Sequence, residues 1–311
     1  MRYKKLDRAG VELSSLAVGS WAIGGEGWGE VNTEDSIEAV HKMFELGVNI
    51  IDTAPAYGSG HSEEIVGKAL KGYRNKVLVS TKFGLDPEKD WAENGTYDFV
   101  LEECENSLKR LDIDYIDFYF MHWPDFNTPI EETMRALNKL KEEGKIRFIG
   151  VSNFNKDQII EAEKYGKIDV IQPPYSMVNR SAEELMKWAK TQGMDTFTYG
   201  SLGAGILTGA IREMPDFAEN DYRKEFYDFY SEPKFSKVME LLQTLDVIAQ
   251  KHGRPVAQVA INWSTQKDYV GTAMCGVRKV LEAEENCSAF DWKLDDGEMR
   301  QIDAELDRLE I

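Results

Sequence analysis

Short β-branched runs alternate with amphipathic stretches from about residue 15 to about residue 290, and no linker, low-complexity tract or shift in composition divides them. The runs predict eight strands: Leu16–Val18, Val48–Ile51, Val77–Ser80, Tyr115–Met121, Arg147–Val151, Val170–Gln172, Asp195–Tyr199 and Val270–Met274. Helical spacing fills the intervals. Ile37, Val40 and Phe44 share one face of a helix that Thr33 is placed to cap and Gly47 to end. Tyr97, Val100, Leu101, Cys104, Leu108 and Leu111 mark a second helix, and Ser181 with Glu184 reads as a capping box ahead of Leu185 and Trp188. Val238, Leu241, Leu242, Leu245 and Ile248 mark another, and Pro255 opens one more.

Strands separated by helices pair in parallel through right-handed crossovers. Eight such units predict an α/β fold, a (β/α)8 TIM barrel, with residues 1–311 as a single domain. Arg2–Leu6 and Val11–Leu13 flank Arg8-Ala9-Gly10 and predict an N-terminal β-hairpin placed to plug the barrel bottom. A doubly wound sheet would carry G-x-G-x-x-G after its first strand, and Gly19-Ser20-Trp21-Ala22-Ile23-Gly24-Gly25 lacks that spacing. Asp86–Thr96 and the stretch from Gly205 to about Lys234 are too long for plain connectors, and such loops are usually functional or disordered.

Acidic residues number 55 against 37 basic ones, a net charge of −18. That balance repels phosphate backbones and anionic lipid, so neither nucleic acid nor a membrane surface is an expected partner. No stretch approaches ~20 consecutive apolar residues, and Met1-Arg2-Tyr3-Lys4-Lys5-Leu6 is followed by no signal-peptide core, which points to the cytoplasm. Cys104, Cys275 and Cys287 have no C-x-x-C spacing, and His41, His61, His122 and His252 show no H-x-H or H-E-x-x-H spacing. Neither a disulfide framework nor a metal site is expected.

In a barrel, catalytic groups are expected where strands end. After the second strand comes Asp52-Thr53-Ala54-Pro55-Ala56-Tyr57-Gly58, after the third Thr81-Lys82-Phe83-Gly84, and after the fourth Met121-His122-Trp123-Pro124-Asp125. Each has a plain structural explanation alone: Asp52 as a turn cap, Lys82 as a solvated strand end, His122 as a core histidine, Tyr57 as a packing aromatic. Their coincidence on one rim argues for chemistry. Lys82 against Asp52 would form a buried pair, and a cation beside Tyr57 would lower the phenol from about 10 toward neutrality. Such a tyrosine can give its proton to a developing alkoxide, with neutral His122 orienting the oxygen.

Asp-Thr-Ala-x-x-Tyr-Gly at 52–58, Ser-Thr-Lys at 80–82, Ile-Gly-Val-Ser-Asn-Phe at 149–154 and Glu285-Asn286 stand in one order, and with them the chain resembles the aldo-keto reductase family from Gly19-Ser20-Trp21 onward. The resemblance implies a bacterial NADPH-dependent reductase of an aldehyde or ketone, with small aldehydes, sugars or polyols as substrate class and Tyr57, Asp52, Lys82 and His122 as catalytic tetrad. It implies a cofactor extended across the barrel mouth. Ser152, Asn153 and Gln172 would hold the nicotinamide amide and Tyr199 would stack on the ring. Gly200, Ser201, Leu202, Gly203, Gly205, Gly276, Val277, Arg278 and Lys279 would meet the phosphates. Gly19, Ser20, Trp21, Asp52, Glu285 and Asn286 complete the cofactor set.

Two positions depart from the family pattern: Cys275-Gly276-Val277 lacks the proline and the hydroxyl that many members place there, and Glu282 stands where many carry a base. Arg278 and Lys279 can still neutralise a 2′-phosphate, so NADPH is expected, with NADH as the alternative. The substrate, a small carbonyl compound or alcohol, is expected against Trp21, Tyr57, Trp91, His122 and Trp123, with further aromatics among Phe217, Tyr222, Phe226, Tyr227 and Tyr230 of the seventh loop. Other readings are an NADPH-binding redox-sensing regulatory subunit with slow turnover and a cofactor-free isomerase or lyase.

Overall fold

In this computed structural model, which describes residues 1–25, 31–217, 221 and 223–311, the alternation closes on itself. In chain order the elements are β1 (Tyr3–Lys5), β2 (Glu12–Ser14), β3 (Leu16–Gly19), α1 (Thr33–Glu45), β4 (Ile50–Asp52), α2 (His61–Ala69), β5 (Leu78–Phe83), β6 (Leu85–Asp86), β7 (Ala92–Glu93) and α3 (Tyr97–Leu111). There follow β8 (Ile116–Met121), α4 (Ile130–Glu142), β9 (Ile146–Ser152), α5 (Lys156–Ala162), β10 (Val170–Gln172), α6 (Glu183–Thr191), β11 (Asp195–Thr198), α7 (Arg223–Phe226), α8 (Lys234–His252), α9 (Val256–Thr265), β12 (Thr272–Gly276), α10 (Val280–Ser288) and α11 (Asp296–Leu309). Strands β3, β4, β5, β8, β9, β10, β11 and β12 form a closed parallel barrel, the (β/α)8 TIM architecture.

Period-two alternation separates the barrel's inside from its outside. In β8, Phe118 and Phe120 point inward to Ala17, Ile50, Val170, Phe197 and Met274, while Tyr119 and Met121 join the layer between strands and helices. The rings of Phe118 and Phe197 meet edge to face at 4.9 Å between centroids. Antiparallel β1 and β2 form the expected hairpin, and buried Leu6 and Leu13 pack onto this interior cluster as its plug. Lys4 Nζ ties the hairpin down by donating to the carbonyls of Thr265 at 2.9 Å and Lys267 at 3.1 Å.

Several local expectations change. Asn32, not Thr33, caps α1, its side chain accepting from the N–H groups of Glu34 and Asp35. Ser181 forms no capping box, because its hydroxyl donates to Asn179 Oδ1 at 2.7 Å and α6 starts at Glu183. The stretch after β5 folds into the small β6–β7 ladder, and the short α7 and the longer α8 and α9 stand between β11 and β12. Among the described residues no helix is long and apolar enough to cross a membrane.

Strand register sets up the rim. Gly19 pairs with both Asp52 and Gly276, Asp52 with Ser80, Phe83 with Met121, and Ser152 with Gln172. The C-terminal residues of seven strand segments are thereby held within neighbouring hydrogen-bond ladders.

Candidate active site

Asp52 ends β4, and β5 runs past Ser80 to Phe83, so Ser80 and Lys82 share one face of β5 and both reach it. The Asp52 carboxylate accepts from Ser80 Oγ at 2.5 Å, Lys82 Nζ at 2.6 Å and Gln172 Nε2 at 3.0 Å. Lys82 Nζ also donates to the Thr53 carbonyl at 2.8 Å. Both charges are buried, with residues 2% and 1% exposed, and each is compensated by the other and by neutral partners.

Tyr57 lies over this pair, its ring centroid 4.9 Å from Lys82 Nζ. His122 follows β8, its backbone N–H donating to the Phe83 carbonyl at 2.9 Å, and its ring meets Tyr57 nearly perpendicular at 6.0 Å. Trp21 stacks on Tyr57, also at 6.0 Å between centroids. Gly58 makes this approach possible: its φ is +63°, and a Cβ there would collide with the Gly24 carbonyl.

Burial, and next the Asp52 charge, pushes the Tyr57 phenol well above its ordinary value. The expectation of a lowered phenol is corrected here: the nearby lysine is already neutralised by Asp52, so desolvation wins. Both rings keep some surface open to the cavity, while the protein packed around them withdraws solvent. Desolvation, with the Lys82 charge second, also drives His122 well below its ordinary value. Burial draws Lys82 down too, opposed by Asp52. Tyr57 therefore holds its proton and His122 is a neutral imidazole.

These groups open into a cavity of about 570 Å³ that runs from Tyr57 and His122 across β12 to α10. Of the residues expected to meet cofactor or substrate, Gly19, Ser20, Trp21, Asp52, Trp123, Ser152, Asn153, Gln172, Tyr199, Gly200, Ser201, Leu202, Gly205, Gly276, Arg278, Glu285 and Asn286 line it. The polar groups below the rim hold one another. Tyr199 donates to Asn153 Oδ1 at 2.8 Å, Asn153 Nδ2 donates to the His122 carbonyl at 2.9 Å, and Ser152 Oγ donates to the Gln172 carbonyl at 2.8 Å. The Ser20 hydroxyl is occupied by Ser62 Oγ at 2.7 Å.

A nicotinamide nucleotide fits this wall. The Ser201 hydroxyl is buried without a hydrogen-bond partner among the described residues, and Gly200 leaves the space of a side chain empty at a φ of +70°. An unpaired hydroxyl beside bare backbone suits a phosphate oxygen.

Lys82 stands beneath the cavity rather than on its wall. Gly203, Val277, Lys279 and Trp91 also lie off it. Gly203 packs against Val178, Val277 is buried in the core, and exposed Lys279 precedes α10. Trp91 is held at the β6–β7 turn, with a φ of +60° and its N–H on the Asp86 carbonyl at 2.9 Å, while Leu85 from the same excursion reaches the wall. Phe226 and Tyr227 of the seventh loop line the cavity, Phe226 edge-on to Trp21 at 5.6 Å; Tyr222 lies outside the described residues. Glu282, noted in the sequence beside the expected 2′-phosphate contacts, is a wall residue, and Arg223 is one that sequence reading did not place there. Arg223 sits in a loop with no periodicity to place it.

Among the described residues no group of three or more His, Cys, Asp or Glu side chains is arranged to hold a metal. The three cysteines are buried free thiols, and burial pushes those of Cys104, Cys275 and Cys287 up to about 12.

The chain is 38% identical over 316 residues to "Aldo-keto reductase YhdN" of Bacillus subtilis, covering 99% of this chain and 94% of that one. It is 34% identical to the "NADH-specific methylglyoxal reductase" of Escherichia coli, covering 99% and 100%. The solved glycerol dehydrogenase AKR11B4 from Gluconobacter oxydans superposes with a TM-score of 0.87 at 36% identity, covering 99% of this chain and 94% of that one. The pattern of the Aldo/keto reductase family matches residues 15–307, and on the barrel, the rim and this match together the chain belongs to that family.

Proposed function

We propose that the chain, acting as one domain, is a nicotinamide-dependent reductase that converts a small aldehyde, ketone or sugar-related carbonyl to an alcohol. The observation that carries this reading is Tyr57, protonated by its surroundings, above the buried Lys82–Asp52 pair and beside neutral His122. A nicotinamide nucleotide bound along the cavity supplies the hydride.

As negative charge gathers on the carbonyl oxygen, the Tyr57 hydroxyl gives it a proton. Neutral His122 donates a hydrogen bond that fixes the direction of that oxygen. Lys82 returns positive charge toward the phenolate left behind, and Asp52 keeps the ammonium in place; in the oxidative direction Tyr57 takes the proton back. Trp21, Trp123 and Phe226 exclude water around the reacting carbon.

Ser152, Asn153 and Gln172 all hold hydrogen bonds within the rim, and each would exchange one of them to meet the nicotinamide amide. The substrate class is supported by the relatives, one a methylglyoxal reductase and one a glycerol dehydrogenase, both named for three-carbon compounds. For the cofactor, Arg278 and Lys279 favour NADPH. The carboxylate of Glu282 and the NADH-specific relative favour NADH.

Consumption of NADH and NADPH with a panel of small aldehydes, ketones and keto-sugars tests the proposal. Sustained turnover that Tyr57→Phe reduces by at least about a hundredfold is expected. Stoichiometric oxidation followed by arrest would instead point to a redox-sensing subunit.

A further inference from the structure

The outer end of the cavity, beyond β12, is walled by the first turns of α10, and there the chain places its own anion. Glu282 Oε2 accepts the backbone N–H of Arg278 at 2.7 Å, and both residues line the same cavity as Tyr57. One turn on, Glu285 adds a second carboxylate to the wall. Glu284 points away to Lys42 at 3.2 Å, and Lys279 lies off the wall. Two carboxylates thus face the cavity on α10, next to Arg278 of the preceding loop; among the described residues Arg223 of the seventh loop is the other basic side chain on this wall.

This inference rests on the reductase reading. With the reactive ring at Tyr57, the adenosine half of an extended dinucleotide falls at the α10 end. NADPH and NADH differ only there, by a 2′-phosphate carrying roughly −1.5 to −2 charge in place of a hydroxyl. A carboxylate accepts a hydrogen bond from a ribose hydroxyl and repels a phosphate. The Arg278 N–H, a donor that a phosphate at this loop would use, already carries the Glu282 carboxylate.

We propose that Glu282 is the cofactor-selecting residue of this chain and that it makes NADH the preferred nucleotide. A plainer role is also on the page, since Glu282 is the third residue of α10 and its carboxylate reaches back to the N–H of Arg278 just ahead of the helix, much as a capping-box glutamate does. The two roles separate on substitution: in Glu282→Gln the amide oxygen still accepts from Arg278, and only the charge is lost.

Titration of the intact protein's tryptophan fluorescence with each nucleotide is the direct test. Wild type is expected to bind NADH at least as tightly as NADPH. Glu282→Gln should tighten NADPH by about tenfold while NADH stays within about twofold. Competition repeats the contrast without the nicotinamide: adenosine 2′,5′-diphosphate should gain with NADPH, and 5′-AMP should not. A wild type that prefers NADPH, or a substitution that shifts both nucleotides equally, overturns the proposal. Binding of neither nucleotide to wild type would remove the reductase reading itself, a result distinct from loss of selectivity.

Discussion

Lys82 Nζ lies 2.6 Å from Asp52 Oδ2 with both side chains sealed from solvent, and this neutralised pair forms the floor beneath Tyr57. Removing one member leaves the other as a lone buried charge. Lys82→Met should cost about 3–5 kcal/mol of stability. The double variant Lys82→Met/Asp52→Asn should recover a good part of that, because the orphaned carboxylate is gone. Urea denaturation of the four proteins of this cycle measures the coupling, and strict additivity would show that the pair is not a unit.

Tyr57 and His122 are pushed in opposite directions, the phenol up and the imidazole down, each by burial first. Both are therefore neutral across the working range. The kcat/KM for carbonyl reduction should stay flat between about pH 6.5 and 10, the ordinary values of the two groups, with neither limb inside that window. A descending limb near pH 8 that Tyr57→Phe abolishes would mean that the cation, not burial, governs the phenol.

Gly58 holds a φ of +63° with its missing side chain turned into the Gly24 carbonyl. Gly58→Ala should cost about 1–2 kcal/mol from the backbone conformation alone, and the collision adds to it. The Tyr57 loop and the Trp21 turn must then separate. Turnover should fall by tenfold or more at temperatures where circular dichroism still reports a folded barrel, and unchanged kcat would refute this link.

Asp195 begins β11 and receives the backbone N–H groups of Asp7 at 3.1 Å and Arg8 at 3.3 Å, which ties the hairpin plug to the barrel. Burial raises its carboxyl from 3.8 to about 6. A carboxyl raised on folding binds its proton more readily in the folded state. Its contribution is therefore most favourable at low pH and declines as pH rises from about 4 to about 6. Relative to Asp195→Asn, wild type should lose stability across that window and then level off. Melting temperatures of both proteins at pH 4, 5, 6 and 7 give the difference, and a constant gap would exclude the titration.

Much of this protein is decided by local pattern. Alternation in the run from Ile116 to Met121 puts Phe118 and Phe120 on one face whatever surrounds them, and the spacing of apolar residues from Tyr97 to Leu111 makes one helical stripe. Strand–helix repetition then leaves a parallel barrel as the arrangement that buries both layers, which is why the fold and the rim positions of Asp52, Lys82 and His122 are legible before any coordinates. The helix caps are less so, since Asn32 and Thr33 are both competent and the choice depends on where the preceding loop arrives.

What only the tertiary structure decided are relations between residues far apart in the chain, or sensitive to depth. The direction of the Tyr57 shift is one, because it depends on the balance of desolvation against a lysine that Asp52 has already neutralised. The exclusion of Trp91 from the cavity and the entry of Leu85, Arg223 and Phe226 are others, set by how two long loops fold back over the rim. The seat of Glu282 on the Arg278 N–H is a third. Sequence spacing specifies which side chains share a face. Burial, charge compensation and loop closure are sums over neighbours that only the closed barrel brings within reach.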